Sequence, residues 1–401
     1  MAVGVFEAKN QILMIVKKIK STTKLLILTK PMYFKPTYSQ IVIFDLECEK
    51  FLGPNLTKFK YSSIPTRGEY TNFYVLLRVV FKLKFWSHPF AQYIYEYVRL
   101  TSASVCITTT HNSQLFWQLE KNVKNLQTIM LQNGVIDDFM KNSEEKPKIN
   151  HILVFSQSDA QYFNNHFIGR ISIAGSLRNN MCTIQKDKTG EIAWISTWVD
   201  GHKASEKFKL GNGEIVNFED FNGCEATSII NVGEWCRENG FHLSIAGSTL
   251  DPSSASREKN FFIKVLQDNS DVQWEYFPRK YLSNYNLVDK HKLIISIDSA
   301  LALEALSRGA KVAIISCRSQ ILNLSDRRFG YPINLPLAGS FWTSTTLKSE
   351  ISNFLSKVYL MNEQDYFQNV NSQKEILMPY DYGNTVLNKI INETLNLSEG
   401  T

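Results

Sequence analysis

The residues best placed to do chemistry lie in Lys292–Arg318, KLIISIDSALALEALSRGAKVAIISCR. An apolar run leads into Asp298 and Ser299, then into a helical pattern that carries Glu304, and then into a second apolar run. A strand that ends in small residues at a helix start leaves backbone N–H groups free, and α/β sheets hold phosphate-bearing ligands there. We expect Asp298 and Ser299 to contact such a ligand and Glu304 to accept the two hydroxyls of a ribose. An ordinary βαβ unit with a solvent-facing glutamate is the alternative.

Polar side chains also follow several other predicted strands. In the second half of the chain these are Ser248, after LSIA, Arg279, after WEYF, and Arg318, after KVAII. In the first half they are Asn112, Gln132 and Asn133, and Arg67 joins them from just before the helix predicted at Thr71. The carboxyl ends of parallel strands line the ligand crevice of an open α/β sheet. We therefore expect the residues of the second half of the chain to bind an anion, and those of the first half to bind a hydroxylated ligand. Arginine suits a phosphate or a carboxylate, although a surface arginine at a strand end is the alternative.

Composition limits the class of protein. The chain has 401 residues, 44% hydrophobic and 20% charged, which suits two globular domains. The net charge of +6 is small, and no nucleic-acid-binding module is apparent, so we expect no nucleic-acid partner. The six cysteines are scattered without a CxxC pair, which favours a reducing cytoplasm and no structural zinc. No signal peptide is recognisable, and no apolar run reaches the ~18 residues of a membrane span. These features predict a soluble or peripheral cytoplasmic protein.

Short apolar runs alternate with helical patterns, which predicts an α/β protein with two doubly wound parallel sheets. The predicted strands are Lys24–Thr29, Gln40–Asp45, Val105–Thr110, Thr128–Gln132, His151–Ser156, Ile171–Ala174, Ala193–Thr197, Leu243–Ala246, Val272–Phe277, Leu293–Ile297 and Lys311–Ser316. The predicted helices are Thr71–Lys84, Gln114–Lys121, Ser158–Asn164, Gly233–Asn239, Ser256–Gln267, Ala300–Arg308, Lys348–Leu360 and Tyr382–Leu395. The polar stretch Arg178–Glu191 is the expected domain boundary, and Asp200–Gly223 is expected to be a loop or small hairpin.

Seven blocks of sequence carry a resemblance that extends from about Gln40 to Asn384. They are TRGEYTNFYVLL (Thr66–Leu77), LQNG (Leu131–Gly134), HILVFSQSDAQYF (His151–Phe163), GRISIAGSLRNN (Gly169–Asn180), IDSALALEALSRGAKVA (Ile297–Ala313), DRRFGYP (Asp326–Pro332) and MPYDYGN (Met378–Asn384). In these blocks the chain resembles bacterial surface carbohydrate biosynthesis proteins, glycosyltransferases of the GT-B type with two Rossmann-like domains around a cleft. The resemblance implies that residues 1–180 bind the acceptor, that residues 181–360 bind a nucleotide sugar, and that residues 361–401 form closing helices.

Glycosyl transfer needs a base for the acceptor hydroxyl and neutralisation of the departing phosphate. The candidates for the base are Glu69, Asp138 and His111, in the first half of the chain. Glu69 ranks first, since a helix start keeps it ionised, and Asp138 ranks second. His111 titrates near neutrality, although a hydrogen-bonded structural histidine is the alternative. The chain has no DxD motif, because Asp137 and Asp138 are adjacent, so we expect no metal and no cofactor besides the nucleotide-sugar substrate.

The sequence leaves the donor and the reaction open. The resemblance extends to transferases of Kdo or nonulosonic acids from CMP donors, several of which use a His-Pro pair in the second domain. Here the His-Pro pair is His88-Pro89, in the first half, so UDP-, GDP- and dTDP-sugars are also candidates. A sugar-nucleotide epimerase of the same fold and a non-catalytic assembly subunit are the alternative functions.

The segment Tyr74–Arg99 indicates where in the cell the protein works. It carries Arg78, Lys82 and Lys84 against the single acid Glu96, interleaved with aromatic residues. Basic residues among aromatics suit an anionic membrane surface. We expect peripheral contact with the inner membrane, where a glycan or lipid-linked glycan acceptor would lie, and a pair of core helices with solvated lysines is the alternative.

Overall fold

Strands and helices alternate along the chain in the computed structural model, which describes residues 30–67, 69–82, 88–136, 146–201, 208–209, 215–267, 271–280 and 282–399. The strands are β1 (Lys30–Met32), β2 (Ile41–Phe44), β3 (Tyr61–Ile64), β4 (Tyr70–Asn72), β5 (Val105–Thr108), β6 (Gln127–Leu131), β7 (Lys148–Val154), β8 (Ile168–Ile173), β9 (Gly190–Ile195), β10 (Phe208–Lys209), β11 (Ile215–Val216), β12 (Leu243–Ala246), β13 (Trp274–Phe277), β14 (His291–Ser296), β15 (Lys311–Ile315) and β16 (Trp342–Thr343). The α-helices are α1 (Glu49–Leu52), α2 (Phe73–Val80), α3 (Pro89–Thr101), α4 (Gln114–Trp117), α5 (Leu119–Asn122), α6 (Gln157–His166), α7 (Phe218–Asn239), α8 (Pro252–Leu266), α9 (Ser283–Lys290), α10 (Ala300–Ser307), α11 (Arg318–Ile321), α12 (Lys348–Leu360), α13 (Glu363–Asn371) and α14 (Thr385–Glu399).

The first sheet has six parallel strands in the order β3-β2-β5-β6-β7-β8. Strand β2, IVIF, is buried along its whole length, as expected of a parallel strand that is covered on both faces. Val42 and Phe44 pack against residues of α2, α3, α4 and α6 on one face. Ile41 and Ile43 belong to the other face, where residues of α14 pack. The C-terminal helix therefore returns to cover the first sheet.

The second sheet also has six parallel strands, in the order β13-β12-β9-β14-β15-β16. Its core joins these strands to apolar residues of α7, α8, α10, α12 and α13. Trp194 on β9 and Trp235 on α7 are among the largest fully buried side chains. The prediction of an α/β protein with two doubly wound parallel sheets is thus confirmed.

Several local predictions need correction. The run Asp200–Gly223 contains the antiparallel hairpin β10–β11, but helix α7 already begins at Phe218. The helix predicted over Gln114–Lys121 is two short helices, α4 and α5. Helices α9 and α13 were missed, because both are mostly polar, with few apolar residues to mark a buried face. The strand predicted at Lys24–Thr29 lies outside the described residues.

The polar stretch Arg178–Glu191 runs between β8, the last strand of the first sheet, and β9, which belongs to the second. Its start is held against α10 and α9. Arg308 donates to Asn179 Oδ1 at 3.0 Å and pairs with Asp289 at 2.5 Å, and both members of this pair are almost fully buried. Just before the stretch, Gly175 has φ +67°, and a Cβ there would lie 2.1 Å from the Pro379 carbonyl oxygen. The chain on either side of Arg178 is therefore closely constrained.

Candidate functional site

A cavity of about 230 Å³ lies at the carboxyl ends of strands from both sheets. The second sheet contributes Ser196, Ser248, Arg279 and Ser299, which follow β9, β12, β13 and β14, and the first contributes Arg178, which follows β8. Glu304 on α10 completes the polar lining together with Lys280, Asn284 and Tyr285. Four residues assigned to the donor from sequence, Ser248, Arg279, Ser299 and Glu304, thus surround one cavity.

Two arginines give the cavity a positive character. Arg279 donates to the Ser248 carbonyl at 2.9 Å. Arg178 lies over the ring of Phe51, with its guanidinium carbon 5.3 Å from the ring centroid, and donates to the Asn133 carbonyl at 3.1 Å. Burial, followed by the charge of Arg178, lowers the pKa of Arg279. An anion between the two guanidinium groups would relieve this repulsion.

Glu304 supplies the negative charge of the same cavity, although it is only 3% exposed. Its two oxygens accept hydrogen bonds from Ser176 Oγ at 2.5 Å and from the Tyr285 hydroxyl at 3.0 Å. Burial raises the pKa of Glu304, while the charge of Arg178, these hydrogen bonds and Arg279 act in the opposite direction. A carboxylate has about four acceptor sites, so Glu304 retains capacity for ligand hydroxyls.

Ser248 is held in place by a buried glutamate that the sequence did not single out. Glu258 on α8 accepts hydrogen bonds from the Ser248 N–H at 2.8 Å and from the Tyr276 hydroxyl at 2.9 Å. The Ser248 hydroxyl donates to the Trp198 carbonyl at 2.7 Å. A Cβ on Gly247 would lie 2.4 Å from the Tyr276 hydroxyl, so the backbone of this turn packs closely against β13.

Arg318 lies elsewhere, contrary to the expectation that it would face the ligand. It is buried, pairs with Asp298 at 2.7 Å and with Glu225 at 3.8 Å, and its guanidinium carbon is 4.8 Å from the ring centroid of Phe221. Held by these contacts, Arg318 lines neither the 230 Å³ cavity nor the smaller cavity beside it. Asp298 reaches a second, smaller cavity and does not line the larger one.

The second cavity has a volume of about 80 Å³ and lies next to the first, because Ser299 lines both. The first sheet contributes Ser156 and Asp159, at the start of α6 just after β7, and the second contributes Asp298. The segment 326–331, part of the DRRFGYP block, forms another wall.

Asp159 is the centre of a hydrogen-bonded network in this cavity. Its oxygens accept from Ser156 Oγ at 2.5 Å and from Gln132 Nε2 at 3.1 Å, and Ser158 Oγ lies 2.8 Å from Ser156 Oγ. Gln132 is fixed in turn, because its Oε1 accepts from the Phe155 N–H at 2.9 Å. Burial raises the pKa of Asp159 to about 6.

The remaining candidates of the first half are dispersed. Arg67 pairs with Asp45 and Glu47, both at 2.9 Å, and Glu69 accepts from the Arg67 N–H at 3.1 Å. His111 Nδ1 accepts from the Asn133 N–H at 3.4 Å. None of Arg67, Glu69, His111, Asn112 and Asn133 lines either cavity, whereas Gln132 contacts Asp159. Asp138 lies outside the described residues.

Besides Glu258, the residues of the site that were not identified from sequence include Arg178, Tyr285 and Asp159. Arg178 lies in the block GSLRNN, but there it marked only the beginning of a polar stretch. Tyr285 lies on α9, a helix that was missed, and Asp159 in SQSD looks like an ordinary helix-capping residue. For Arg178 and Asp159 the missing signal is a contact between the two halves of the chain.

Two features are absent from the part of the chain that the structure describes. Within it, no cluster of three or more histidine, cysteine, aspartate or glutamate side chains could hold a metal ion. No helix within it has the length and apolar character needed to cross a membrane.

Comparisons with known proteins agree with this architecture. A family model described as "putative O-antigen biosynthesis protein" matches residues 129–395. A "putative UDP-N-acetylglucosamine 2-epimerase" from Listeria monocytogenes is similar in structure, with a TM-score of 0.54 and 10% identity over 90% of this chain and 97% of that chain. The wall teichoic acid polymerase TagF has a TM-score of 0.50 and 12% identity over 97% of this chain and 98% of that chain. No curated protein matches the sequence. At such identities the structural likeness is evidence of the fold alone, which is of the GT-B type.

Proposed function

Since the chain belongs to the O-antigen biosynthesis family whose model matches residues 129–395, we propose that it is a glycosyltransferase. In this proposal it moves a sugar from a nucleotide donor to a hydroxyl of a surface polysaccharide or lipopolysaccharide. One observation carries the proposal: Arg178, Arg279 and buried Glu304 meet in one cavity at the strand ends of both sheets. Family membership supports a place in surface-polysaccharide biosynthesis, and the charges of this cavity suit a nucleotide sugar.

The nucleotide phosphates would lie between Arg178 and Arg279. The two side chains come from opposite sheets, and the N-terminus of α10, at Ala300 and Leu301, lines the same cavity. Backbone N–H groups at a helix start and guanidinium groups both stabilise the charge that develops on a departing phosphate. With these groups in place, we propose that transfer proceeds without a divalent metal.

The nucleoside would lie on the second sheet, with its ribose at Glu304 and Ser248 and the amide of the Gly247 turn close by. Arginine also pairs bidentately with carboxylates, so a Kdo- or sialic-type sugar on a CMP donor fits the same cavity. The His-Pro pair at His88 begins α3, which packs on the first sheet, so it does not line the cavity. We therefore propose the nucleotide-sugar class without choosing among CMP, UDP, GDP and dTDP.

An epimerase is the second candidate, because the structure with a TM-score of 0.54 is described as a UDP-N-acetylglucosamine 2-epimerase. An epimerase converts a nucleotide sugar without an acceptor. Incubation with nucleotide sugars alone separates the two functions, since product would appear only for an epimerase. A non-catalytic assembly subunit would convert nothing, and a nucleotide would leave its melting temperature unchanged.

We further propose that the protein works in the cytoplasm against an anionic membrane surface that presents the acceptor. Arg78, Lys82 and Arg99 surround the buried Glu96, at 2.9, 2.7 and 3.3 Å, while their own side chains stay 41–52% exposed. Phe81, next to this cluster, is 88% exposed. An exposed aromatic beside excess positive charge suits the lipid interface. The tyrosines of α3, in contrast, belong to the core.

A thermal-shift screen with CMP, UDP, GDP and dTDP tests the donor site. A ligand at one hundred times its Kd stabilises the folded state by about 2.7 kcal/mol, so one nucleotide should raise the melting temperature clearly. Replacing Arg279 with glutamine should abolish the shift. Arg170→Gln, which removes an exposed arginine of β8 away from the cavity, is the control and should keep it. If none of the four nucleotides changes the melting temperature of the wild type, the proposal is wrong.

A further inference from the structure

The carboxylates that line the two cavities differ in their partners. Asp298 is paired with Arg318 at 2.7 Å, and Glu304 carries the charge that faces Arg178 and Arg279. Asp159 is buried and forms no ion pair with any of the described residues. It is therefore the buried carboxylate of the cleft that is free to take up a proton, because no cation holds it in its charged form.

The position of Asp159 follows from the fold. It is the third residue of α6, which begins directly after β7 of the first sheet. Its cavity and the cavity assigned to the nucleotide sugar share Ser299, the N-cap of α10. A sugar on a phosphate at this helix start would thus lie beside the Asp159 cavity. At about 80 Å³, that cavity has room for roughly three water molecules, and so for a hydroxyl group of a sugar.

We propose that the smaller cavity receives the reacting hydroxyl of the acceptor and that Asp159 is the general base of the transfer. The inference rests on the proposed transferase function and adds a catalytic residue to it. The acceptor oxygen attacks the anomeric carbon and forms the new C–O bond. The bond between that carbon and the phosphate oxygen breaks, and its electron pair stays on the nucleotide. The hydroxyl proton passes to a carboxylate oxygen of Asp159 and later to water.

The surroundings of Asp159 suit this role. Ser156 Oγ and Gln132 Nε2 each donate to one of its oxygens, which fixes the carboxylate and leaves acceptor sites on both oxygens. The pKa of about 6 makes the carboxylate a stronger base than an exposed aspartate while keeping it mostly ionised at neutral pH. Four charged residues line the same cavity from other elements, namely Asp298, Asp326, Arg327 and Arg328.

The test compares Asp159→Asn with Asp365→Asn. Asp365 is also the third residue of a helix and accepts from its N-cap, Asn362 Nδ2, at 2.6 Å, but it lies on α13 and lines neither cavity. The donor whose nucleotide shifts the melting temperature most is incubated with alkyl glycosides of common hexoses, and release of the nucleotide is followed. Loss of a general base should lower kcat about 10²- to 10⁴-fold in the Asp159 variant. The Asp365 variant should turn over like the wild type.

The pH profile distinguishes a base from a structural residue. For the wild type, kcat should rise with pH along an acidic limb whose midpoint lies near pH 6, because the ionised form of Asp159 is the active one. Gln132→Leu removes a hydrogen bond that stabilises the carboxylate, so it should move this limb to higher pH. If Asp159→Asn does not fold, Gln132→Leu alone tests whether Asp159 is the base. In that case, an acidic limb at the same pH in Gln132→Leu and in the wild type would contradict the inference.

The outcomes separate the two proposals. If the wild type binds and turns over a nucleotide sugar while folded Asp159→Asn binds the nucleotide equally but turns over slowly, Asp159 is the base. If that variant keeps wild-type kcat, the assignment of Asp159 is wrong and the transferase function stands. If the wild type neither binds a nucleotide nor turns over any donor, the proposed function itself fails, and the base with it.

Discussion

Replacing Glu304 with glutamine is the sharpest test of the donor site. The carboxylate is buried and accepts the hydroxyls of Ser176 and Tyr285. Glutamine has nearly the same shape, and its amide can still bond both hydroxyls once they rotate. It carries no charge, so a buried charge and its desolvation cost disappear together. We therefore expect the variant to fold and to melt no lower than the wild type.

The expected loss of affinity follows from the ribose contact. A hydrogen bond to a charged group contributes about 1.5–3 kcal/mol, and each 1.4 kcal/mol is a factor of about ten in Kd. Glu304→Gln should therefore weaken nucleotide binding about 10- to 150-fold. An opposing effect is the removal of a negative charge beside Arg178 and Arg279, which strengthens their attraction for phosphate.

A pair of ligands isolates the ribose contact from this opposing effect. Calorimetry with a ribonucleotide and with its 2′-deoxy form gives a ratio of Kd values in which the phosphate contribution cancels. The wild type should prefer the ribonucleotide, and Glu304→Gln should lose most of this preference. Glu225→Gln is the matched control, since Glu225 is equally buried, accepts from Trp194 Nε1 at 2.9 Å and does not line the cavity. A folded Glu304→Gln protein that keeps the wild-type ratio would refute the assignment.

Three further predictions concern stability, location and metal. Arg308→Met leaves Asp289 buried without its partner and should lower the free energy of unfolding in urea by about 3–5 kcal/mol, whereas adding Asp289→Leu should restore much of it. Changing Arg78, Lys82 and Lys84 to glutamine should reduce sedimentation with anionic vesicles about a hundredfold, because each basic residue near such a surface contributes about 1 kcal/mol, and wild-type binding should weaken as salt rises. Equal binding by both proteins would exclude this surface. Turnover should persist in EDTA, and a loss that magnesium or manganese reverses would contradict the role given to Arg178 and Arg279.

Sequence could predict that four of the proposed donor residues lie together, because the carboxyl ends of parallel strands meet at one edge of a sheet. Ser248, Arg279 and Ser299 each follow an apolar run, and parallel strands bring the residues after such runs to one side of the sheet. Glu304 could be predicted for the same reason, since α10 starts at that edge. The apolar runs that form the buried strands are visible in the sequence, and they are sufficient to place these residues.

The residues that sequence reasoning placed wrongly or missed depend on contacts between distant segments. Arg318 also follows a strand, but Asp298 and Glu225 bind its guanidinium and leave it buried. Nothing in the segment around Arg318 reveals these partners. Asp159 shows the converse, because its helix-capping context is ordinary and only the packing of the second sheet opposite it forms a cavity there.

The proposed donor site also lies where the two sheets are bonded to each other, at residues 176–179 between β8 and β9. Ser176 and Asn179 follow the last strand of the first sheet. Ser176 bonds to Glu304 on α10, and Asn179 bonds to Ser307 of α10 and to Arg308, the C-cap of that helix. Arg178 lies between Ser176 and Asn179 and reaches the cavity. A ribose that binds Glu304 would share this carboxylate with Ser176, and a phosphate would draw Arg178 toward Arg279. Binding of the nucleotide sugar would therefore engage Arg178 and Glu304, which stand beside the bonds that hold the first sheet against the second.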